Sequence, residues 1–322
     1  MSDLSFTILA ETADDAVAIE RLHERTFGPG RYAKTAYRIR EGVTHRLDLS
    51  FTARVGTLLV GSVRLSPVRI GDTPALLLGP LTIEPPFRDR GIGHALIARA
   101  LKEAKEKGVL VIALDTETDP KDAVDATFAT NNVTAGELEG KYVKATLGPT
   151  APKLLMMDGT PGGTVDEQRH RGFLQGMGLK DGDPAIIGAA PTNGDQNKAQ
   201  AAMENLLQRD SSVNAVYTLN EPAARGAVAA LTAKGLAGKV AVGSIDGGCQ
   251  GVADVKAGKY LATVMQFPKK MAEQGVDAVV DFAQNGKKPS GFVDTGAQLI
   301  TDKPVAGLDA KDTAWGAQNC WG

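Results

Sequence analysis

Residues 76–116 read LLLGPLTIEPPFRDRGIGHALIARALKEAKEKGVLVIALDT, and the order of elements in this stretch decides how the whole chain is parsed. The apolar run from Ala75 to Ile83 has the length of a buried strand, and Pro85 and Pro86 end it. Arg88-Asp89-Arg90-Gly91-Ile92-Gly93 makes a glycine turn, HALIARALKEAKEKG has helical spacing, and VLVIALDT returns to a strand. Such a strand, turn, helix and strand form a right-handed parallel crossover. At the turn, unpaired N–H groups converge on the positive end of the helix dipole, a seat for pyrophosphate, and Gly91 and Gly93 carry no Cβ to block its approach. Two glycines in a strand-to-helix turn say little alone. The pattern Arg-x-x-Gly-x-Gly between a strand and a helix carries the reading.

Upstream, DDAVAIERLHERT (14–26) sets Val17, Ile19 and Leu22 among charges as an amphipathic helix, and LSFTARVGTLLVGSVRLSPVRI (49–70) alternates like antiparallel strands. A small mixed sheet is expected here. The arginines at 21, 25, 31, 38 and 40 are interspersed with Glu20, Glu24 and Glu41, which favours a solvated helix face and loop over a substrate or nucleic-acid patch. His23, His45 and His94 lack metal-ligand spacing and read as structural or surface residues; no metal is expected.

These residues carry a resemblance. Residues 1–108 are similar to the first two thirds of a GNAT-family N-acetyltransferase, with LLLGPLTIEPPFRDRGIGHALIARAL resembling that family's acetyl-CoA motif. The resemblance implies pantetheine along Leu81, Thr82 and Ile83, and pyrophosphate on the amides of Arg88, Asp89, Arg90, Gly91, Ile92 and Gly93. It also implies direct attack of an amine on the thioester, with a later Tyr commonly protonating the leaving thiolate. No helix with a placed Tyr and no closing strands follow Val109, so cofactor contact is expected, turnover is not, and catalytic residues are not identified.

The chain of 322 residues, 43% apolar and 23% charged, is long enough for two domains. Residues 1–108 hold 12 Arg and 4 Lys, whereas residues 109–322 hold 4 Arg and 16 Lys, an inversion that suits two segments of separate origin. The formal net charge of -2 gives no global pull toward nucleic acid or an anionic membrane. No stretch approaches the roughly 20 apolar residues of a membrane span, and MSDLSFTILAETADD lacks the pattern of an export signal, so a cytoplasmic chain without membrane insertion is expected.

From Val109 short apolar strands alternate with helices: VLVIALDT, KLLMMDGT, AIIGAAPT, AVYTLN, VAVGSID and YLATVMQ. This is the grammar of doubly wound parallel sheets. Thr164 with Glu167 three residues on reads as a capping box, and Pro222 as a first helical residue. Ligands of open α/β sheets bind beyond the carboxyl ends of the strands. Asp115, Asn220, Asp246 and Gln266 stand at such ends, with Arg169 reaching the same crevice from the helix after Thr164. Such a set suits a neutral polyol: carboxylates accept from hydroxyls, Arg donates, and Asn or Gln does both. Each residue also has a bland reading as a cap or turn.

Residues 109–322 resemble the larger part of a type I periplasmic sugar-binding protein of ABC transporters, of the ribose and fructose group. The resemblance rests on VLVIALDTETDP, ATNNVTAGELEGKY, DEQRHRGFLQGM, AVYTLNEPAARGAV, VAVGSIDGGCQGV and LATVMQFPKKMA. It implies that Asp115 matches the carboxylate of the first lobe, that Arg169, Asn220, Asp246 and Gln266 match ligands of the second lobe and hinge, and that an ABC permease is the partner. Thr116 stands where some relatives have Arg, so the sugar preference does not carry over. The family's opening strand and stacking aromatics have no counterpart here. Cys249 and Cys320 suggest a disulfide in keeping with an exported relative; two separate thiols are the alternative, and in the cytosol the pair is expected reduced.

The expected architecture is therefore α/β: a partial GNAT mixed sheet, residues 1–108, joined to the doubly wound lobes of a type I periplasmic-binding fold, residues 109–322, with an incomplete first lobe. The seam falls within ALKEAKEKGVLVIAL, a passage that suits either family. Residues 150–265 with a return segment are expected to form the most secure unit. The expected function is weak monosaccharide binding, with acetyl-CoA-dependent N-acetyl transfer as the alternative.

Overall fold

The computed structural model describes residues 5–322, which divide by their contacts into two compact units. The first comprises residues up to Ile112 with Asp119–Ala126 and Gly275–Gly291; the second comprises Ala113–Thr118, Thr127–Gln274 and Phe292–Gly322.

In the first unit, strand β1 (Thr7–Ala10) is followed by helices α1 (Ala16–Phe27) and α2 (Thr35–Arg38), then strands β2 (Phe51–Val55), β3 (Leu58–Ile70) and β4 (Thr73–Ile83), and helix α3 (Ile92–Glu106). The strands form an antiparallel sheet in the order β1-β2-β3-β4. Opposite faces of it are covered by different helices. Phe51 and Ala53 share a core with Ile92, Leu96, Ala100 and Ala104, a four-residue repeat that forms one stripe along α3. Leu59 meets Ile19 and Leu22 of α1 on the other face. Burying a side chain such as Leu96 contributes about 1.5–3 kcal/mol.

Helix α3 ends in a Schellman motif: Gly108 takes the left-handed conformation (φ +74°), its N–H donates to Lys105 O at 2.9 Å, and Val109 N–H donates to Ala104 O at 3.0 Å. This shortens the strand expected over VLVIALDT. Val109 is committed to the helix, Val111 N–H bonds the Asp125 carboxylate at 2.9 Å, and only β5 (Ile112–Leu114) remains extended. Its partner is β6 (Ala126–Ala129), in a separate three-stranded sheet, rather than the last strand of the antiparallel sheet.

The second unit continues with α4 (Asn132–Leu147), β7 (Leu154–Asp158), α5 (Thr164–Met177), β8 (Ile186–Pro191), α6 (Gln196–Arg209), β9 (Ala215–Thr218), α7 (Glu221–Ala233), β10 (Ala241–Asp246), α8 (Cys249–Lys256) and β11 (Ala262–Met265). Then come α9 (Pro268–Asn285), whose residues from Gly275 onward belong to the first unit, β12 (Gly291–Asp294), β13 (Gln298–Ile300), β14 (Ala310–Lys311) and α10 (Thr313–Asn319). Seven strands form one sheet in the order β14-β13-β11-β10-β9-β7-β8, parallel except where β13 meets β11. Residues 150–265 thus supply five adjacent strands, and the C-terminal segment extends their edge. Along β7 successive side chains serve opposite cores: Leu154 and Met156 pack with Phe173 of α5, and Leu155 and Met157 with Met203 of α6.

Two local expectations are corrected. Thr164 is the first residue of α5 and Gly163 is its N-cap, with no side-chain cap; the Asp166 carboxylate instead accepts from Thr160 N–H at 3.0 Å. Pro222 lies one residue inside α7, because Asn220 caps that helix and Glu221 begins it.

Helices α4 and α5 meet backbone to backbone. Gly136 and Gly140 of one helix face Gly172 and Gly176 of the other, and a Cβ at Gly136 would strike the carbonyl of Arg169, one at Gly140 that of Phe173. Spaced four apart, each pair of glycines lies on one helix face. Gly140→Val is expected to destabilise the second unit by at least about 1–3 kcal/mol, the usual cost of overpacking. Both tryptophans, Trp315 and Trp321, lie in this unit, so urea unfolding followed by tryptophan fluorescence reads the effect. An unchanged midpoint would show that the helices separate without penalty.

Candidate functional site

In the second unit the carboxyl ends of β9, β10 and β11 and the start of α5 bring polar side chains together. Asp246 ends β10, and its Oδ1 accepts from Arg169 Nη1 at 3.0 Å and from Gln266 Nε2 at 3.0 Å. Arg169 is held on two further sides: Nη1 donates to Leu219 O at 2.8 Å, and Nε donates to Asn132 Oδ1 at 2.9 Å. Arg169, Asn132 and Gln266 are all buried. Burial pushes the Asp246 carboxyl above its usual range, opposed by the guanidinium of Arg169 and reinforced by the charge of Asp115. The backbone of Glu221 also bonds the Asp246 carboxyl. Among the described residues Nη2 of Arg169 makes no hydrogen bond and remains as a donor, and Oε1 of Gln266 makes none and remains as an acceptor.

The other two expected residues sit differently. Asn220 caps α7, accepting from Ala223 N–H at 3.0 Å and donating to Gly194 O at 3.3 Å, so the cap reading of this residue is realised in full. Asp115 is exposed, with a left-handed backbone (φ +74°), and its N–H donates to Phe128 O at 2.9 Å. It approaches Asp246 closely enough to act on its charge without a direct bond.

Two residues of the site escape a reading of strand ends. Asn132, the first residue of α4, orients Arg169; the run Asn131-Asn132 before an apolar helix was its only signal. Glu221 lies buried under the turn after β10, where its Oε1 accepts from Gly247 N–H at 2.9 Å and Thr263 Oγ1 at 2.8 Å. Behind the site, Cys249 and Cys320 are bonded, their Cα atoms 4.9 Å apart. The bond draws Trp321 back over β10, where its indole N–H donates to Asp246 O at 3.0 Å.

The first unit holds a cavity of about 470 Å³ at the start of α3. Leu81, Ile83, Arg88, Asp89, Gly91, Ile92 and Gly93 line it; Thr82 and Arg90 do not, and Thr26, Phe27, Phe87 and His94 join unforeseen. Gly91 is the N-cap, left-handed at φ +76°, and the first bond into the helix runs from Ala95 N–H to Gly91 O at 3.0 Å. The amides between are free by helix geometry. Leu81 is 37% exposed, so β4 presents an accessible flank beside these amides. An amide-rich turn, a φ that glycine supplies and an open cavity fit the pyrophosphate and pantetheine of acetyl-CoA. Among the described residues no cluster of His, Cys, Asp and Glu suits a metal.

The basic residues read as a solvated face divide. Arg21, Arg25 and Arg38 are exposed, but Arg31 is buried because Nη2 pairs with Glu20 at 2.7 Å and Nη1 with Gly28 O at 3.0 Å; His23 is buried as well.

Residues 92–288 match the periplasmic binding protein domain, and residues 16–127 match the acetyltransferase (GNAT) family. The two matches overlap over residues 92–127, from the start of α3 into β6. The chain is similar to the ribose import binding protein RbsB of Salmonella typhimurium, 32% identical over 192 residues, 60% of this chain and 63% of that protein. The D-allose-binding periplasmic protein of Escherichia coli is 29% identical over 197 residues, 59% and 62% of the two chains. The chain thus spans less than two thirds of these relatives. Among solved structures, an ABC transporter solute binding protein from Agrobacterium vitis with bound D-fucose is 26% identical at a TM-score of 0.59, covering 70% of this chain and 75% of that one. The Caulobacter myo-inositol binding protein bound to myo-inositol is 27% identical at a TM-score of 0.58, covering 64% and 70%. Among the described residues no helix is long and apolar enough to cross a membrane.

Glu221 is expected to make the stability of the second unit depend on pH. Burial raises its carboxyl from 4.5 to about 7. An acid held up in the folded state favours folding in its protonated form, so its contribution is full below the unfolded value and is lost as pH rises through the folded one. Glu221→Gln is therefore expected to shrink the fall in Tm between about pH 5 and about pH 8, read by tryptophan fluorescence. Equal falls in parent and variant would remove Glu221 as the cause.

Proposed function

The chain belongs to the periplasmic binding protein domain family, and on that footing we propose that its second unit binds a monosaccharide through Asp246, Arg169 and Gln266, with Asn220 and Asp115 at the margin. The carrying observation is the shared oxygen of Asp246: one carboxylate oxygen accepts from both Arg169 and Gln266, and among the described residues this leaves Nη2 of Arg169 and Oε1 of Gln266 as a donor and an acceptor for hydroxyls. Because Arg169 is already neutralised by a carboxylate at 3.0 Å and Asp115 adds negative charge nearby, the arrangement suits a neutral ligand with hydroxyls rather than an anion. The relatives named for ribose and allose support the same ligand class. An ABC permease is the partner this reading implies, and the same reading takes the seam between the segments to follow Gly108.

A thermal-shift panel of ribose, allose, xylose and fucose tests it. A sugar at a hundred times its Kd stabilises the native state by about 2.7 kcal/mol. Asp246→Ala leaves Arg169 buried and unpaired, a loss of about 1.5–3 kcal/mol in binding, and is expected to abolish the shift. An equal response in parent and variant would overturn the assignment.

A second reading is favoured by the cavity at α3: the first unit binds acetyl-CoA, with Leu81 and Ile83 along the pantetheine and the amides of Gly91, Ile92 and Gly93 on the pyrophosphate. The cofactor would supply the thioester for transfer to an amine; the residues here hold and orient it. A Cβ on Gly93 meets Leu81 and Ile83 at ordinary distances of 3.7 and 3.8 Å, so the helix tolerates substitution while the cavity does not. Gly93→Val is expected to weaken acetyl-CoA binding at least about tenfold by calorimetry with the circular dichroism retained. Undiminished binding would exclude this cradle.

A further inference from the structure

A separate cavity of about 270 Å³ opens in the first unit, and its wall carries six basic side chains, His23, Arg31, Lys34, Arg40, His45 and Arg64, against two acidic ones, Glu20 and Glu41. Their pairing decides what is left over. Arg64 is matched by the buried Glu11, Nε lying 3.0 Å from Oε2 and Nη2 2.5 Å from Oε1, and the same carboxylate meets His45 Nε2 at 2.9 Å. Arg31 is matched by Glu20. Arg40 has no carboxylate within ion-pair distance among the described residues; it is half-buried, and its Nη1 lies 3.2 Å from where a Cβ on Gly79 of β4 would stand. Lys34 likewise faces the ring of Phe27, at 5.8 Å, rather than an acid. His23 is 6% exposed and its Nε2 is buried without a partner. Burial and the charge of Arg64 lower its pKa to about 4, so the ring that lines this wall is neutral at pH 7.

A cavity with a surplus cation, a neutral imidazole and a wall completed by Phe27, Tyr37, Val43 and Pro80 has one matching ligand chemistry. We infer that this cavity binds a small organic carboxylate, its charged end on the guanidinium of Arg40 and its apolar body against Tyr37 and Pro80. The planar fork of Arg suits a carboxylate, and the aromatic and proline walls suit a short hydrocarbon. The cavity adjoins the one at α3: Phe27 lines both, and Pro80 and Leu81, one in each wall, are consecutive in β4.

The test is a calorimetric titration of the full chain, without sugar or acetyl-CoA, so that its outcome is independent of both readings above. The probes are leucine, phenylalanine and benzoate, with leucinamide and inorganic phosphate as comparisons. At least one carboxylate is expected to bind saturably with a Kd near or below about 1 mM, leucinamide at least about tenfold more weakly than leucine, and the His23 ring-proton resonance to shift on saturation. Arg40→Ala is expected to weaken binding about tenfold or more, while Arg38→Ala, an exposed neighbour, leaves it unchanged. Binding by none of the three carboxylates up to about 10 mM, an unaltered affinity in Arg40→Ala, or phosphate binding as tightly as the best carboxylate would each overturn the inference.

Discussion

The approach of α4 to α5 governs the second unit. Without side chains at Gly136, Gly140, Gly172 and Gly176 the two helices come into backbone contact, and that closeness sets the position of Arg169. Arg169 sits one turn before Gly172 on α5, and Asn132 one turn before Gly136 on α4, so the guanidinium and the amide that orients it meet as a consequence of the glycine contact. Asp246 and Leu219 then fix the remaining directions from the sheet. A buried guanidinium is tolerated only when paired and hydrogen-bonded, and here every bond to it comes from an element whose place is settled by packing.

The passage from α3 into β6 shows why two families can be read in one continuous chain. A helix with an apolar stripe, a Schellman stop at Gly108 and a short strand satisfy the local rules of either architecture, and the two family matches overlap over these residues. Local agreement has a limit, visible in β5. Of the expected strand VLVIALDT, Val109 is drawn to the helix end and Val111 to Asp125, and the three residues that remain extended pair with β6.

The sheet of the second unit was legible because each of its buried strands is a short apolar run with a helix between, and the meeting of Asp246 with Gln266 was legible because parallel strands deliver their ends to one edge, which Arg169 reaches from α5. Asn132 and Glu221 were not. Both act from helix starts, where Asn and Glu are ordinary capping and first-turn residues, and only tertiary packing turns one toward Arg169 and the other under Gly247. The same ambiguity ran the other way at Thr164, where a capping pattern is present and Gly163 caps instead. Arg31 and Arg40 reveal a further blind spot: a charge in a helix-and-loop segment looks solvated until the fold places a wall opposite it, and spacing along the chain does not encode that wall.

Trp321 gives the end of the chain a hand in the chemistry of the middle. Its indole holds the backbone of Asp246, the disulfide one residue earlier pins it there, and only Gly322 separates it from the last described atom. Reduction of the Cys249–Cys320 bond therefore releases the segment that carries Trp321, and with it a hydrogen bond to the backbone of Asp246.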